Sequence, residues 1–441
     1  MRNRNQILAA LFIFFLSSLL AFSQGTILIR NAKIVPVVGK TINKGCLLIQ
    51  KGKIVQIAEE IAAPAGADVI DAKGMSVYPG LVSPLTAVGV TGYPGAGDDI
   101  NEKGVSTPQM DPFDALNPED ETIEVARIGG VTSVLTVSGT RNAISGKAII
   151  LNLDGDVAED MVIKRDAVQI FNMAGRTENK YPTTLPGVVS LIRDKLNQAK
   201  SYIEQKKKTA EKAPGKKEKP EGMEEKPFRT DLEMEALIPV VQGEIPVLFM
   251  TNNEVTIHNA LEIIKEYNLK GILYATTDVW KLADRLSKEK IPVIWAGTME
   301  ITNRWEPFDL NYRTASMLAE KGIFFAFDQI GWGPSNRNVR NLPLFAGISV
   351  AHGLSEEEAI KAITINPARI LGVDDQVGSL EVGKTANVVI WSESPIQMRA
   401  RVLEVIINGK RIPLTSVQTR LRDKFEKIVR KRLKKKEVKS Q

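Results

Sequence analysis

The chain has 441 residues, 43% hydrophobic and 25% charged, enough to bury a large core and to form one big domain with a smaller one. Its single cysteine, Cys46, excludes an intrachain disulfide, and its two histidines, His258 and His352, bound any chemistry that needs imidazoles. Of the net charge of +6, residues 420–441 supply +8, with eleven Lys/Arg against Asp423, Glu426 and Glu437, so the remainder is slightly acidic.

In chain order, Arg2 and Arg4 precede an apolar run from Ile7 to Phe22 and a small-residue site at Ala21, Phe22 and Ser23. This three-part pattern is that of a secretory signal over residues 1–23, which predicts an exported, periplasmic or extracellular product. The run is short for a membrane span of roughly 20 apolar residues, and no cysteine follows it to accept a lipid. Residues 24–78 then carry short apolar runs (27–30, 45–49, 53–57) separated by turn residues, which read as small antiparallel sheets. A matching set at 376–415, with strand-like runs at 387–391 and 402–407, predicts the other half of one β-sandwich.

Between them, over 79–375, apolar strand-like runs at 131–137, 167–173, 246–251, 271–277, 292–297 and 323–328 alternate with helical periodicity, as at Val279, Leu282 and Leu286 or Ala315 and Leu318. Buried strands separated by helices predict parallel βαβ units, in a (β/α)8 barrel or a doubly wound open sheet. Near the end, Ser355 with Glu358 predicts a capping box, and Asn366-Pro367 opens a short helix that stops at Gly372. Residues 205–228, rich in Lys, Glu, Pro and Gly, predict a disordered charged insertion. Within the tail, 416–441, Leu421, Phe425, Ile428, Val429 and Leu433 have helical spacing among Lys and Arg, a basic amphipathic helix suited to an anionic membrane, to a partner, or to docking on its own fold.

Four segments taken in order carry a family resemblance: LIRNAKI at 28–34 with KGKIV at 51–55, PGLV at 79–82, AITINPA at 362–368, and GSLEVGK at 378–384. Together they resemble the amidohydrolase superfamily, close to its imidazolonepropionase-like members. The resemblance implies an α/β chain built as a (β/α)8 TIM-type barrel with a small composite β-sandwich domain. It also implies a metal centre at the C-terminal mouth of the barrel, where a metal-bound hydroxide and an aspartate at the end of the last strand hydrolyse C–N or related bonds. Such a metal lowers the pKa of its water to about 7 and polarises the substrate carbonyl.

The ligand positions implied by that resemblance are mostly filled by other residue types. Where a PGLVD-x-H-x-H strand would present two imidazoles, PGLVSPLTA at 79–87 places Leu85 and Ala87, with Ser83 in place of the preceding aspartate. Alternate residues of a strand share a face, so His-x-His is a natural clamp whereas Leu-x-Ala offers no lone pair. The fifth-strand histidine falls at Met250, a soft thioether; the sixth-strand one at Ala275 or Thr277; the bridging residue near the fourth strand at Gln169. Only Asp328 survives as the last-strand aspartate, with a catalytic role as general base or a structural role capping the following loop.

His258, near a helix start, and His352, at a helix end, read as structural, since zinc sites need three or four protein ligands. Asp98, Asp99, Glu102 and Asp111 could offer oxygen ligands or simply form a solvated loop face. Gly92, Gly95 and Gly97 lack the strand-to-helix setting of a phosphate cradle, no G-x-S-x-G elbow is present, and the basic runs are not interleaved with aromatics, which argues against nucleic acid. The expectation is therefore an exported amidohydrolase-type barrel without metal or other cofactor, weak or inactive as a hydrolase. It would bind a small cyclic amide or peptide-like ligand, or form a homo- or hetero-oligomer with an active paralogue, with peripheral membrane contact through the tail. The alternative is an active hydrolase of C–N bonds with an atypical metal site or an Asp328-based mechanism.

Overall fold

A computed structural model describes residues 25–91, 99–100, 102, 104–212, 229–300, 306–329 and 335–439. The signal-like leader, Asp98, Gly92, Gly95, Gly97 and residues 213–228 of the charged insertion lie outside the described residues.

The first small domain draws on both ends of the chain. Strands β1 (Thr26–Ile34), β2 (Ile42–Gln50), β3 (Lys53–Ala58), β4 (Asp68–Asp71) and β5 (Ser76–Pro79) come from the N-terminal side. They join β14 (Val388–Trp391), β15 (Val402–Ile407) and β16 (Lys410–Ile412) in one hydrogen-bonded sheet, β16-β15-β14-β5-β1-β2-β3, with β4 also on β1. The two ends meet where β14 runs antiparallel to β5, with Val389 opposite Tyr78. The small sheet is not purely antiparallel: β1 pairs with β4 and β5 in parallel. Ile29, Leu47, Ile49, Val77, Val388 and Ile406 fill its core.

The large domain is a nearly closed eight-stranded barrel: β6 (Leu81–Thr86), β7 (Val131–Val137), β8 (Ile144–Asn152), β9 (Val162–Asn172), β10 (Val247–Thr251), β11 (Gly271–Ala275), β12 (Val293–Trp295) and β13 (Phe325–Phe327), neighbours in that order. The seam between β13 and β6 is bridged by the chain itself: Phe327 N–H donates to Ala362 O at 2.9 Å and Val82 N–H to Ile363 O at 3.0 Å.

Strand β8 corrects the expectation of eight parallel βα units, because it runs antiparallel to both β7 and β9. Only residues 138–143 separate β7 from β8. Six residues cannot carry a parallel crossover, which needs a dozen or more, but they close a hairpin. Helices cover the outside, among them Leu185–Lys212, Glu254–Tyr267 and Leu310–Glu320, packing Ile192, Leu261 and Leu318 onto Phe249, Phe325 and Phe327.

Two helical expectations change. The segment from Gln205 to Lys212 is the last part of helix Leu185–Lys212, tied down where Lys206 meets Glu235 at 2.6 Å and Tyr202 O–H donates to Glu235 at 2.8 Å. Ser355 caps helix Glu356–Lys361 by accepting from Glu358 N–H at 3.2 Å, while the Glu358 side chain turns to Lys361 at 3.0 Å.

A buried amide network locks the domains together. Asn387 donates to Ser133 at 3.2 Å and to Asn152 at 2.6 Å, and Asn152 donates to Asn408 at 2.8 Å. Each buried amide thereby finds partners that would otherwise have to be water.

Candidate functional site at the barrel mouth

Strand parity decides which side chains look into the barrel, except along β6, where a register irregularity between Ser83 and Thr86 brings Val82 and Leu85 into the same cluster. Val82, Leu85, Val168, Ile170, Leu248, Ile272, Tyr274, Ile294 and Ala296 form the inner cluster, with Met250 packed against it. Their neighbours Phe249, Leu273, Ala275, Trp295 and Phe327 face the helices instead. On β11 the last residue of the inner cluster is Tyr274, whereas Ala275 points outward and Thr277, beyond the strand, donates its hydroxyl to Asn252 O. Gln169 shares the outward parity of Phe171 and donates to Ser145 O, so the inner residue of β9 at that level is Ile170. Leu85 belongs to the inner cluster and Met250 packs against it.

Asp328 follows β13 directly, its N–H donating to Trp295 O at 3.0 Å, and its side chain is 2% exposed. Both carboxylate oxygens are engaged. Ser83 Oγ–H donates to Oδ1 at 3.1 Å and Tyr274 O–H to Oδ2 at 3.0 Å, with the backbone N–H groups of Leu85 and Gln329 as further donors. Burial pushes the Asp328 carboxyl up to about 7, against the opposing pull of those donors. Burial, reinforced by the Asp328 charge, raises the Tyr274 phenol well above its ordinary value, so at neutral pH the phenol is a donor. This Tyr274 contact was not legible from motif comparison alone.

The remaining candidates are dispersed. His258 lies on the exposed face of helix Glu254–Tyr267, with Nδ1 3.1 Å from Arg285 and Nε2 4.0 Å from Glu262. His352 terminates helix Leu342–Ala351, Nδ1 2.8 Å from Ile348 O and its ring 5.0 Å from that of Tyr312. Asp111 accepts from Phe113 N–H at 2.9 Å and pairs with Arg165 at 2.5 Å, a loop cap rather than a lumen ligand. Among the described residues no three His, Cys, Asp or Glu side chains gather as a metal-binding group.

A barrel with a composite β domain and a buried carboxylate just past its last strand is consistent with the amidohydrolase architecture that the sequence resemblance implies. The amidohydrolase family profile matches residues 256–412. A crystal structure of an amidohydrolase from Thermotoga maritima MSB8 superimposes with a TM-score of 0.76 at 28% identity, covering 88% of this chain and 99% of that one. Amidohydrolase tasK of Hapsidospora irregularis is 24% identical over 394 residues, which is 83% of this chain but 39% of tasK, so this chain spans well under half of that relative. Imidazolonepropionase of Symbiobacterium thermophilum is 38% identical over 82 residues, 18% of this chain and 19% of that protein. Profile, relatives and superposition together support assignment of the chain to the amidohydrolase superfamily.

Proposed function

We propose that this chain is an exported amidohydrolase-type barrel whose hydrolytic metal centre has been lost. It acts by binding a small cyclic amide or peptide-like ligand at the mouth, alone or as the partner of an active relative. The observation that carries the reading is the Tyr274–Asp328 hydrogen bond. A phenol occupies the inner face of β11 and engages the buried carboxylate of Asp328. Around it stand Leu85, Met250 and Ile170, an aliphatic and thioether lining that does not fit a divalent ion requiring three or four nitrogen, oxygen or thiolate donors. Export rests on the leader pattern alone.

Elemental analysis of protein purified without chelators tests the reading. The expected result is zinc, manganese and iron far below one equivalent per chain; near-stoichiometric metal that survives gel filtration overturns it.

A second reading has one specific observation behind it. A carboxyl poised at about 7 suits a general base, so metal-free hydrolysis of C–N bonds through Asp328 would give a rate that rises through neutral pH. Turnover of cyclic amides or dipeptides that Asp328→Asn abolishes, with no metal dependence, would establish it. The 2% exposure of Asp328 and its full set of donors weigh against direct contact with substrate.

A further inference from the structure

Among the described side chains, the C-terminal helix, Val417–Lys439, is tied to the fold at its start. Ser416 caps it by accepting from Thr419 N–H at 3.3 Å, and Arg420 pairs with Glu124 of helix Glu121–Ile128 at 2.9 Å. Every side chain from 420 to 433 is exposed. These include Leu421 at 45%, Phe425 at 56%, Ile428 at 37%, Val429 at 52% and Leu433 at 55%. Docking of this apolar stripe on the protein's own body, one of the readings the sequence allowed, is therefore not what the fold does.

The five residues sit at i, i+4, i+7, i+8 and i+12, one face of a helix, and the stripe runs for about 18 Å. Lys424, Lys427, Arg430 and Lys431 fill the opposite faces. The acids within it are internally neutralised, Asp423 by Arg422 at 2.8 Å and Glu426 by Arg430 at 3.5 Å.

We propose that this helix lies on an anionic lipid surface, its apolar stripe in the headgroup boundary and its cations over the lipid phosphates. Charge complementarity selects the occupant. A second copy would set +8 against +8, whereas an anionic leaflet attracts each cation and accepts the apolar face without a matching partner groove. The geometry is that of a helix lying on the surface, since no helix among the described residues is long and apolar enough to cross a membrane.

Cosedimentation with vesicles tests this on the chain freed of its leader, residues 24–441, comparing phosphatidylcholine containing phosphatidylglycerol with phosphatidylcholine alone at about 0.1 M salt. Expected are binding to the anionic vesicles only and its loss at high salt. Phe425→Glu with Val429→Glu, and separately Lys427→Gln with Lys431→Gln, should each weaken it by about tenfold or more. All four positions are exposed, so the variants keep the fold, which an unchanged thermal transition verifies. Failure of the leader-free chain to bind anionic vesicles overturns the proposal, as does equal binding by the two-glutamate variant. A protein dimer or complex that Phe425→Glu dissolves, without vesicle binding, assigns the stripe to a protein and likewise overturns it.

Discussion

Tyr274 O–H donates to Asp328 Oδ2 across 3.0 Å, joining the end of β11 to the end of β13 where the two side chains are 5% and 2% exposed. The bond removes a donor and an acceptor from the list of buried groups that water would otherwise have to satisfy. Tyr274→Phe leaves the carboxylate short of one donor at nearly constant shape, which should cost about 1–3 kcal/mol in urea unfolding. The loss should be larger at pH 8, where the carboxylate is charged, than at pH 5; equal losses would mean that the bond does not depend on the Asp328 charge.

Burial sets the sign of the pH dependence at Asp328. Its folded pKa of about 7 lies above the ordinary 3.8, so the native state holds this proton more tightly than the unfolded chain. The stability contributed is present below about pH 4 and is lost as pH rises to about 7, after which this group adds no further slope. Asp328→Asn removes the titration. Relative to the unsubstituted chain the variant should gain stability between pH 4 and pH 8, by at most about 4 kcal/mol at 1.36 kcal/mol per pKa unit. Its amide must still face the donors of Ser83 and Tyr274, so the absolute stability at acid pH should fall. Denaturant midpoints at several pH values read both effects, and parallel profiles for the two proteins would place the Asp328 pKa in its ordinary range.

How far the site was legible follows from which signals parity and spacing leave in a sequence. The strands at 131–137, 246–251 and 271–277 announced themselves as apolar runs, and PGLV with the strand-terminal Asp328 located both sides of the seam. Strand β8 was missed because Ile144–Asn152 is interrupted by Ser145, Gly146 and Lys147, although the six-residue gap after β7 was the available clue to a hairpin. Ala275 or Thr277 was expected at the sixth-strand position because a run buried on both faces has no period-2 contrast from which to read register. Tyr274 emerges only when its partner Asp328, 54 residues away, is in view. The charged composition at 205–212 pointed to disorder, but Glu235, which holds Lys206, belongs to a different helix and leaves no local trace.

If the lumen has lost its clamp by side-chain replacement on an intact scaffold, returning the imidazoles should return the metal. Leu85 and Met250 already line the inner cluster, and Leu85 and Ala87 are 9% and 6% exposed on alternating positions of the chain. The triple variant Leu85→His, Ala87→His, Met250→His supplies three nitrogen donors near Asp328, the minimum that zinc sites use. It should retain zinc through desalting and show a zinc-dependent rise in melting temperature that the parent chain lacks. A folded triple variant without zinc affinity would show that the strand ends no longer converge on one point.

Gly80 lies between β5 and β6, at the passage from the small sheet to the barrel, with its N–H donating to Asn387 O at 2.9 Å. A methyl group added there would fall inside the side chain of Thr132, which is 1% exposed on the neighbouring barrel strand and has no room to retreat. The glycine of the PGLV motif is thus required by close approach of two strands, independently of any chemistry at the mouth. Gly80→Ala should destabilise by about 1–3 kcal/mol or more through overpacking. Thr132→Gly opens the space, so Gly80→Ala should cost less in that background, with a coupling on the order of 1 kcal/mol in a double-mutant cycle. Additive losses would mean that the added methyl is accommodated by a shift of the β5–β6 connection, not resisted by Thr132.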